Sequence, residues 1–291
     1  MSEIPFDNLL ESLLDEETRF HPRNLYRLSD LDPTEIESLA KTWPQIPLWR
    51  RRALMEDLEE LGDADTLLSF EAIARQAIDD DDPQVRSTAI RILNDYETKD
   101  LIPKYINILT EDQDAEVRAA AALALGYFVY QGELEELPKR TQREIETVLF
   151  KTIDDDQAKI VRRRALEAVS FSIHEDVPVI IQKAFDSGDR DWMVSAIFSM
   201  GRSADRRWRD NVIMMLEHKT PAIRAEAARA AGELEIKQTA PQLIELLDDV
   251  DNNVRAASIW ALSQIGGEGV RQSLERLLEQ AEDVEDIDLL E

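Results

Sequence analysis

The sequence predicts an all-α solenoid of about seven helix pairs with capping helices at its ends, and three observations carry that prediction. First, a skeleton centred on Asp114 to Gly126 recurs. With Val117-Arg118 as its anchor, it returns at Val85-Arg86, Val161-Arg162, Ile223-Arg224 and Val254-Arg255, and in weaker form at Trp49-Arg50 and Trp192-Met193. The anchors at 161, 192, 223 and 254 are 31 residues apart and those at 85 and 117 are 32 apart, a period typical of one repeated supersecondary unit. Second, small residues stand four places after each anchor (Ala53, Ala89, Ala121, Ala165, Ala196, Ala227, Ser258) and seven places after most (Ala124, Ala168, Ser199, Ala230, Ala261). Places 0, 4, 7 and 8 share one helical face, so the stripe lets a second helix approach closely. Third, no alternating strand pattern occurs.

Along the chain, residues 1–32 form an acidic N-terminal region. Its helix, over 6–18, gathers Phe6, Leu9, Leu10, Leu13 and Leu14 on one face as a cap for the array. The same stripe also suits docking in another protein's groove. Residues 33–267 form the repeat array, opened by Asp32-Pro33 as a helix start. Pairs are expected at 33–43 with 48–61, 64–78 with 83–96, 100–110 with 115–130, 140–154 with 157–172, 176–186 with 190–202, 205–218 with 221–234, and 239–248 with 252–265. The spacing grows to 44 between the anchors at 117 and 161, which places a long connector at about 129–139, around Gly132 and Pro138. Gly266-Gly267 ends the array. A capping helix follows over 268–282 with Val270, Leu274, Leu277 and Leu278 on one side, and 283–291 is an acidic tail.

The opening acid of each skeleton is suited to an N-cap, since Asp82, Asp114, Asp189 and Asp251 lie three residues before their anchors. Arg86, Arg118 and Arg255 then read as rungs of an Asp/Arg ladder tying repeat to repeat. The pattern Asp-x-x-Val-Arg-x-x-Ala-x-x-Ala-Leu-Gly resembles the HEAT-repeat family, in the short subtype also seen in phycobilin lyase subunits. The resemblance spans about residues 33–280. It departs at Met193, where the Arg is missing, and at Glu56 and Asp57, where small residues are expected. It implies a right-handed α-solenoid whose second helices line a concave side that binds other macromolecules; it implies no single activity.

Composition narrows the function classes. There is no Cys, so no disulfide, thiolate metal site or thiol nucleophile. Neither a leader-like start nor a run of about 18 apolar residues occurs, which points to a cytoplasmic protein that does not enter membranes. A net charge of −27 opposes nucleic acid at long range. The runs Arg50-Arg51-Arg52 and Arg162-Arg163-Arg164, with Arg202, Arg206, Arg207 and Arg209, would be needed to track phosphates, yet they are scattered among acids in different repeats. Deoxyhypusine hydroxylases, which are HEAT-like, hold iron with several His-Glu pairs. Here only His174-Glu175 has that form, while His21 and His218 precede Pro and Lys. No cofactor, metal or catalytic residue is expected.

What remains is a surface. Places 6 and 10 after each anchor point away from the buried stripe, and they supply Arg91, Leu123, Tyr127, Phe171, Phe198, Arg202, Arg229 and Trp260 as candidate partner-binding residues. Aromatic residues and Arg are the side chains that anchor interfaces. Any that pack on a neighbouring helix would be lost to such a role. The expected function is a non-enzymatic scaffold that holds a protein or peptide partner, with a basic segment favoured by the overall charge. A chromophore-handling, phycobilin lyase-like subunit is the alternative, and nucleic-acid binding stands behind both.

Overall fold

A computed structural model describes residues 4–96 and 98–280. The chain is an all-α solenoid, and no strand occurs among the described residues. Its helices divide between two units, one made of residues 1–128 and 155–162 and the other of 129–154 and 163–291. The expected tail at 283–291 and the last two residues of the expected cap lie outside the described residues.

In the first unit, α1 (Phe6–Leu14) packs on α2 (Pro33–Thr42) through buried Leu9, Leu10 and Leu13, as the apolar stripe demands. It stops four residues short of the expected end because Asp15 turns the chain, its carboxylate accepting the Glu17 and Thr18 N–H groups. Helix α2 opens on a capping box, with Asp32 and Glu35 each accepting the other's backbone N–H. The pairs continue as α3 (Leu48–Ala64), α4 (Glu71–Ala77) with α5 (Pro83–Leu93), and α6 (Ile102–Glu111) with α7 (Ala115–Glu133).

The first repeat corrects the expected register by one residue. Trp49 is 53% exposed and Ala53 is exposed, while Arg50, Leu54, Met55 and Leu58 are buried. Arg50 therefore occupies the anchor place that Val fills elsewhere. Its guanidinium donates to the Asp15 and Thr18 carbonyls and lies 4.5 Å from the Trp49 ring, so the charge is hydrogen-bonded where an aliphatic anchor would only pack.

The second unit takes the end of α7 from Val129, nearly all of α8 (Lys139–Asp155), α9 (Lys159–Val169) from Arg163 on, and α10 (Val177–Phe185), α11 (Arg190–Arg202), α12 (Arg209–Met215), α13 (Pro221–Glu233), α14 (Ala240–Glu245), α15 (Asn252–Ile265) and α16 (Glu268–Gln280). Instead of the long connector expected at about 129–139, α7 runs on through Gly132 to Glu133 and α8 starts at Lys139. The extra residues of this repeat lengthen its two helices. The alanine stripe behaves as its chemistry requires. Ala165, Ala168, Ala196, Ser199, Ala227, Ala230, Ser258 and Ala261 are all buried, and α11, α13 and α15 pack one on the next. The motif glycines belong to the same contact. A Cβ on Gly232 would stand 2.8 Å from the Ala261 Cα, so only glycine permits this approach. Gly266, at φ +66°, ends α15. In α16, Val270 is buried, Leu274 is half-buried and Leu278 is exposed.

The expected caps form, since Asp82, Asp114, Asp189 and Asp251 each accept the N–H groups two and three residues on. The ladder uses other acids. Arg86 forks onto Asp112, Arg118 onto Asp156 and Arg224 onto Asp249, with both N···O distances of each fork between 2.8 and 3.0 Å. In the shifted first repeat Arg51 plays this part toward Asp80. Each of these acids also accepts the N–H two residues on, and three of those N–H groups belong to the caps Asp82, Asp114 and Asp251. The acid before the cap thus takes the ladder arginine, while the cap Asp serves its helix; Asp82 does both, capping its helix and taking a fork from Arg52.

Candidate functional site

In the second unit, the outward faces of α9, α11, α13 and α15 form one continuous surface. Arg202, ten places into its repeat, is its hub. The Arg202 Cζ lies 5.3 Å from the Phe198 ring centre and 5.9 Å from that of Phe171, and its Nε is 3.2 Å from Glu233. The Tyr130 ring meets Phe171 edge-on at 5.8 Å. Quadrupolar ring faces attract a guanidinium and ring edges alike, which fixes these side chains relative to one another.

Beside the hub, two glycines let the next helix lean in. A Cβ on Gly201 would fall 2.2 Å from the Glu233 carboxylate, and one on Gly232 would fall 2.8 Å from the Trp260 ring. Glu233 and Trp260 therefore lie flat across the preceding helix. Trp260 is seated in this way yet remains 42% exposed.

The ionic pairs of this face share an arrangement. Arg164 donates to Glu167 at 2.5 Å, Arg229 to Glu226 at 3.1 Å, and Arg202 reaches Glu233. The three arginine side chains are 36–46% exposed and their glutamates only 4–16%. Glu167 is fully engaged, since it also accepts from Ser195 Oγ at 2.5 Å, and that hydroxyl accepts in turn from Arg163 Nε. Burial pushes the Glu226 carboxyl above the usual range, against the pull of Arg229. Burial does the same to Glu233 against Arg202.

The candidate residues from the sequence fall in both units. Phe171, Phe198, Arg202, Arg229 and Trp260 share the face just described, the two phenylalanines part-buried and the other three exposed. Arg91, Leu123 and Tyr127 belong to the first unit. There Arg91 forks onto Glu59 and lines a cleft of about 360 Å³ with Asp63, Asp95 and Tyr96, while Tyr127 lies edge-on to Phe128 at 5.5 Å. Sequence reasoning left Tyr130, Arg164 and Glu226 out of the partner-binding set, although Arg164 stands in the basic run weighed for phosphates. The last two stand three places after their anchors, one turn before the sixth place, so the outward stripe is one turn longer than places 6 and 10 suggest.

The histidines do one job three times. His21, His174 and His218 each accept, through Nδ1, the N–H two residues on, at 3.1, 3.3 and 3.1 Å. Among the described residues, no group of three or more His, Asp or Glu is gathered in metal-binding geometry, and no helix is long and apolar enough to cross a membrane.

Comparison with known families decides the kinship, because the family described as HEAT repeats matches residues 49–126, 70–170, 177–251 and 210–287. The chain belongs to the HEAT-repeat family. No curated protein matches it in sequence. Among solved structures, this HEAT-repeat chain is similar to the Escherichia coli protein YibA at 19% identity over 95% of this chain and 98% of that one, with a TM-score of 0.46. An engineered protein is similar at 18% identity over 65% and 93%, with a TM-score of 0.42. Human deoxyhypusine hydroxylase in complex with glycerol is similar at 17% identity over 89% and 95%, with a TM-score of 0.38.

Proposed function

We propose that this HEAT-repeat protein is a non-catalytic scaffold that holds a peptide or protein segment against the outward face of α9, α11, α13 and α15. The observation that carries this reading is the cluster of Tyr130, Phe171, Phe198, Arg202 and Trp260, side chains of the interface-anchor type held at the surface by aromatic contacts and by close helix packing. Preorganisation is the mechanism. The rings and guanidinium are already ordered, so a partner meets little entropic cost on that side. Arg91, Leu123 and Tyr127 are candidates of the first unit in their own right.

Affinity capture tests the reading, comparing the native chain with a Phe198→Ala, Trp260→Ala double variant and with Val179→Ala, which alters an exposed residue of α10. A partner kept by Val179→Ala and lost by the double variant, at unchanged helical content, is the expected result. Equal capture by all three would overturn the proposed surface.

A further inference from the structure

The occupant of this face can be specified by charge and spacing, an inference that rests on the reading above. Overall charge favours a basic partner: 61 acids against 34 bases leave −27. Contact chemistry, however, is set by atoms within a Debye length, about 8–10 Å in physiological salt. On this face the outer atoms are guanidinium groups. Glu167, Glu226 and Glu233 lie beneath Arg164, Arg229 and Arg202, each covered by the arginine it neutralises. A lysine approaching the face would meet like charge first and find the carboxylates already taken.

The donors are also incompletely used. Arg202 engages Glu233 through Nε and leaves both Nη groups without an acceptor among the described residues, and Arg229 spends only Nη1, on Glu226. A planar guanidinium with free N–H groups is matched by a carboxylate. Beside these donors stand two rings, the part-buried Phe198 under Arg202 and the exposed Trp260 on the next helix but one. We infer that the face binds an acidic segment in extended conformation, whose carboxylates meet Arg202 and Arg229 and whose apolar side chain lies on Trp260.

Spacing sharpens the pattern. Packed helices lie about 8–10 Å apart, and an extended chain advances about 3.3 Å per residue. One helix step therefore equals about three residues of ligand. Arg202, Arg229 and Trp260 stand on the successive helices α11, α13 and α15, so the ligand reads acid-x-x-acid-x-x-apolar. Phosphates of a single-stranded nucleic acid would also suit the arginines, but the remaining charge of the chain repels a polyanion.

Fluorescence anisotropy with the full chain tests this, using a labelled Glu-Ser-Gly-Glu-Ser-Gly-Trp peptide, its Lys-for-Glu counterpart and a labelled oligothymidine. The acidic peptide should bind, more weakly as salt rises. Arg202→Gln and Arg229→Gln should each weaken it about five- to ten-fold, and Arg202→Lys should fall between. Arg271→Gln, an exposed arginine of α16, should change nothing. The Arg202→Glu, Arg229→Glu double variant, checked for native helical content, should prefer the Lys peptide. Preference of the native chain for the Lys peptide, sensitive to Phe198→Ala and Trp260→Ala, would overturn the acidic partner while leaving the binding face standing. Binding of oligothymidine through Arg202 in preference to the acidic peptide would overturn it as well. An acidic peptide that fails to bind, or binds equally well to Arg202→Gln and Arg229→Gln, would do the same.

Discussion

Arginine meets carboxylate in two places in this molecule, and the two are built in opposite ways. Along the inter-repeat loops, Arg86, Arg118 and Arg224 each fork onto an Asp that also holds a backbone N–H, and each sends Nη1 back to carbonyls of its own preceding loop. On the outward face, Arg164, Arg202 and Arg229 lie over largely covered glutamates with one carboxylate contact apiece. The carboxylates record the difference. The Arg224 fork, with the Asp251 N–H, holds Asp249 below its ordinary range even against desolvation, whereas burial lifts Glu226 and Glu233 above theirs. A guanidinium spent on a fork and on loop carbonyls is committed to the fold; one that spends a single N–H group on its carboxylate keeps the others to offer a partner.

The strongest way to break this contrast is Arg224→Ala. It strips Asp249 of both fork bonds and frees the His218 carbonyl, and should cost about 2–3 kcal/mol in urea unfolding. Arg229→Gln on the face should cost less than about 0.5 kcal/mol. Comparable losses from the two variants would erase the distinction between structural and available pairs.

Gly232→Ala comes next, since the face depends on close helix approach. Helix propensity favours Ala by about 1 kcal/mol, but overpacking against the Ala261 backbone costs about 1–3 kcal/mol, so the variant should be less stable and should displace Trp260. Its indole fluorescence and melting temperature check both points. Gly269→Ala in α16, where a Cβ meets nothing within 4 Å, should instead be neutral or stabilising.

The smallest effect is the pH dependence, and its sign differs between the two regions. Asp249 is held low, so its stabilising share is complete above the ordinary carboxylate range and is lost as pH falls through its lowered value, below about pH 4. Glu226 is held high, so its charged form costs stability until pH falls through its raised value, above about pH 4.5. Acidification toward about pH 4.5 should therefore first relieve a cost that Glu226→Gln abolishes. Further acidification should destabilise the chain less steeply in Asp249→Asn. Denaturation midpoints across this range measure both slopes.

Much of this was legible in the residues. The Val-Arg anchors, the alanine stripe and the Asp caps stand where their spacing puts them, because a helix repeats every 3.6 residues whatever surrounds it. The first repeat resisted for a physical reason. Arg50 fills a buried place by bonding to carbonyls of Asp15 and Thr18, more than thirty residues away, and no local pattern announces that. The extra residues near 129–139 misled as well. Gly132 reads as a breaker, yet it is where Gln142 of α8 crosses α7, and a Cβ would stand 2.6 Å from that side chain.

The sequence by itself determined the fold class, the repeat length, the buried stripe and the outward places from which Phe171, Phe198, Arg202, Arg229 and Trp260 project. These depend on periodicity, which is a property of the chain alone. Only the tertiary structure decided that the ladder arginines choose the Asp before the cap, and that Tyr130, Arg164 and Glu226 join the face with glutamates beneath and guanidiniums above. The ladder, the Arg202–Glu233 pair and the Tyr130–Phe171 contact rest on distances between different elements, and side chains 25 or more residues apart take their positions only when those elements have packed. The pairs Arg164–Glu167 and Arg229–Glu226 lie within single helices, and packing decides only how deeply their glutamates are covered.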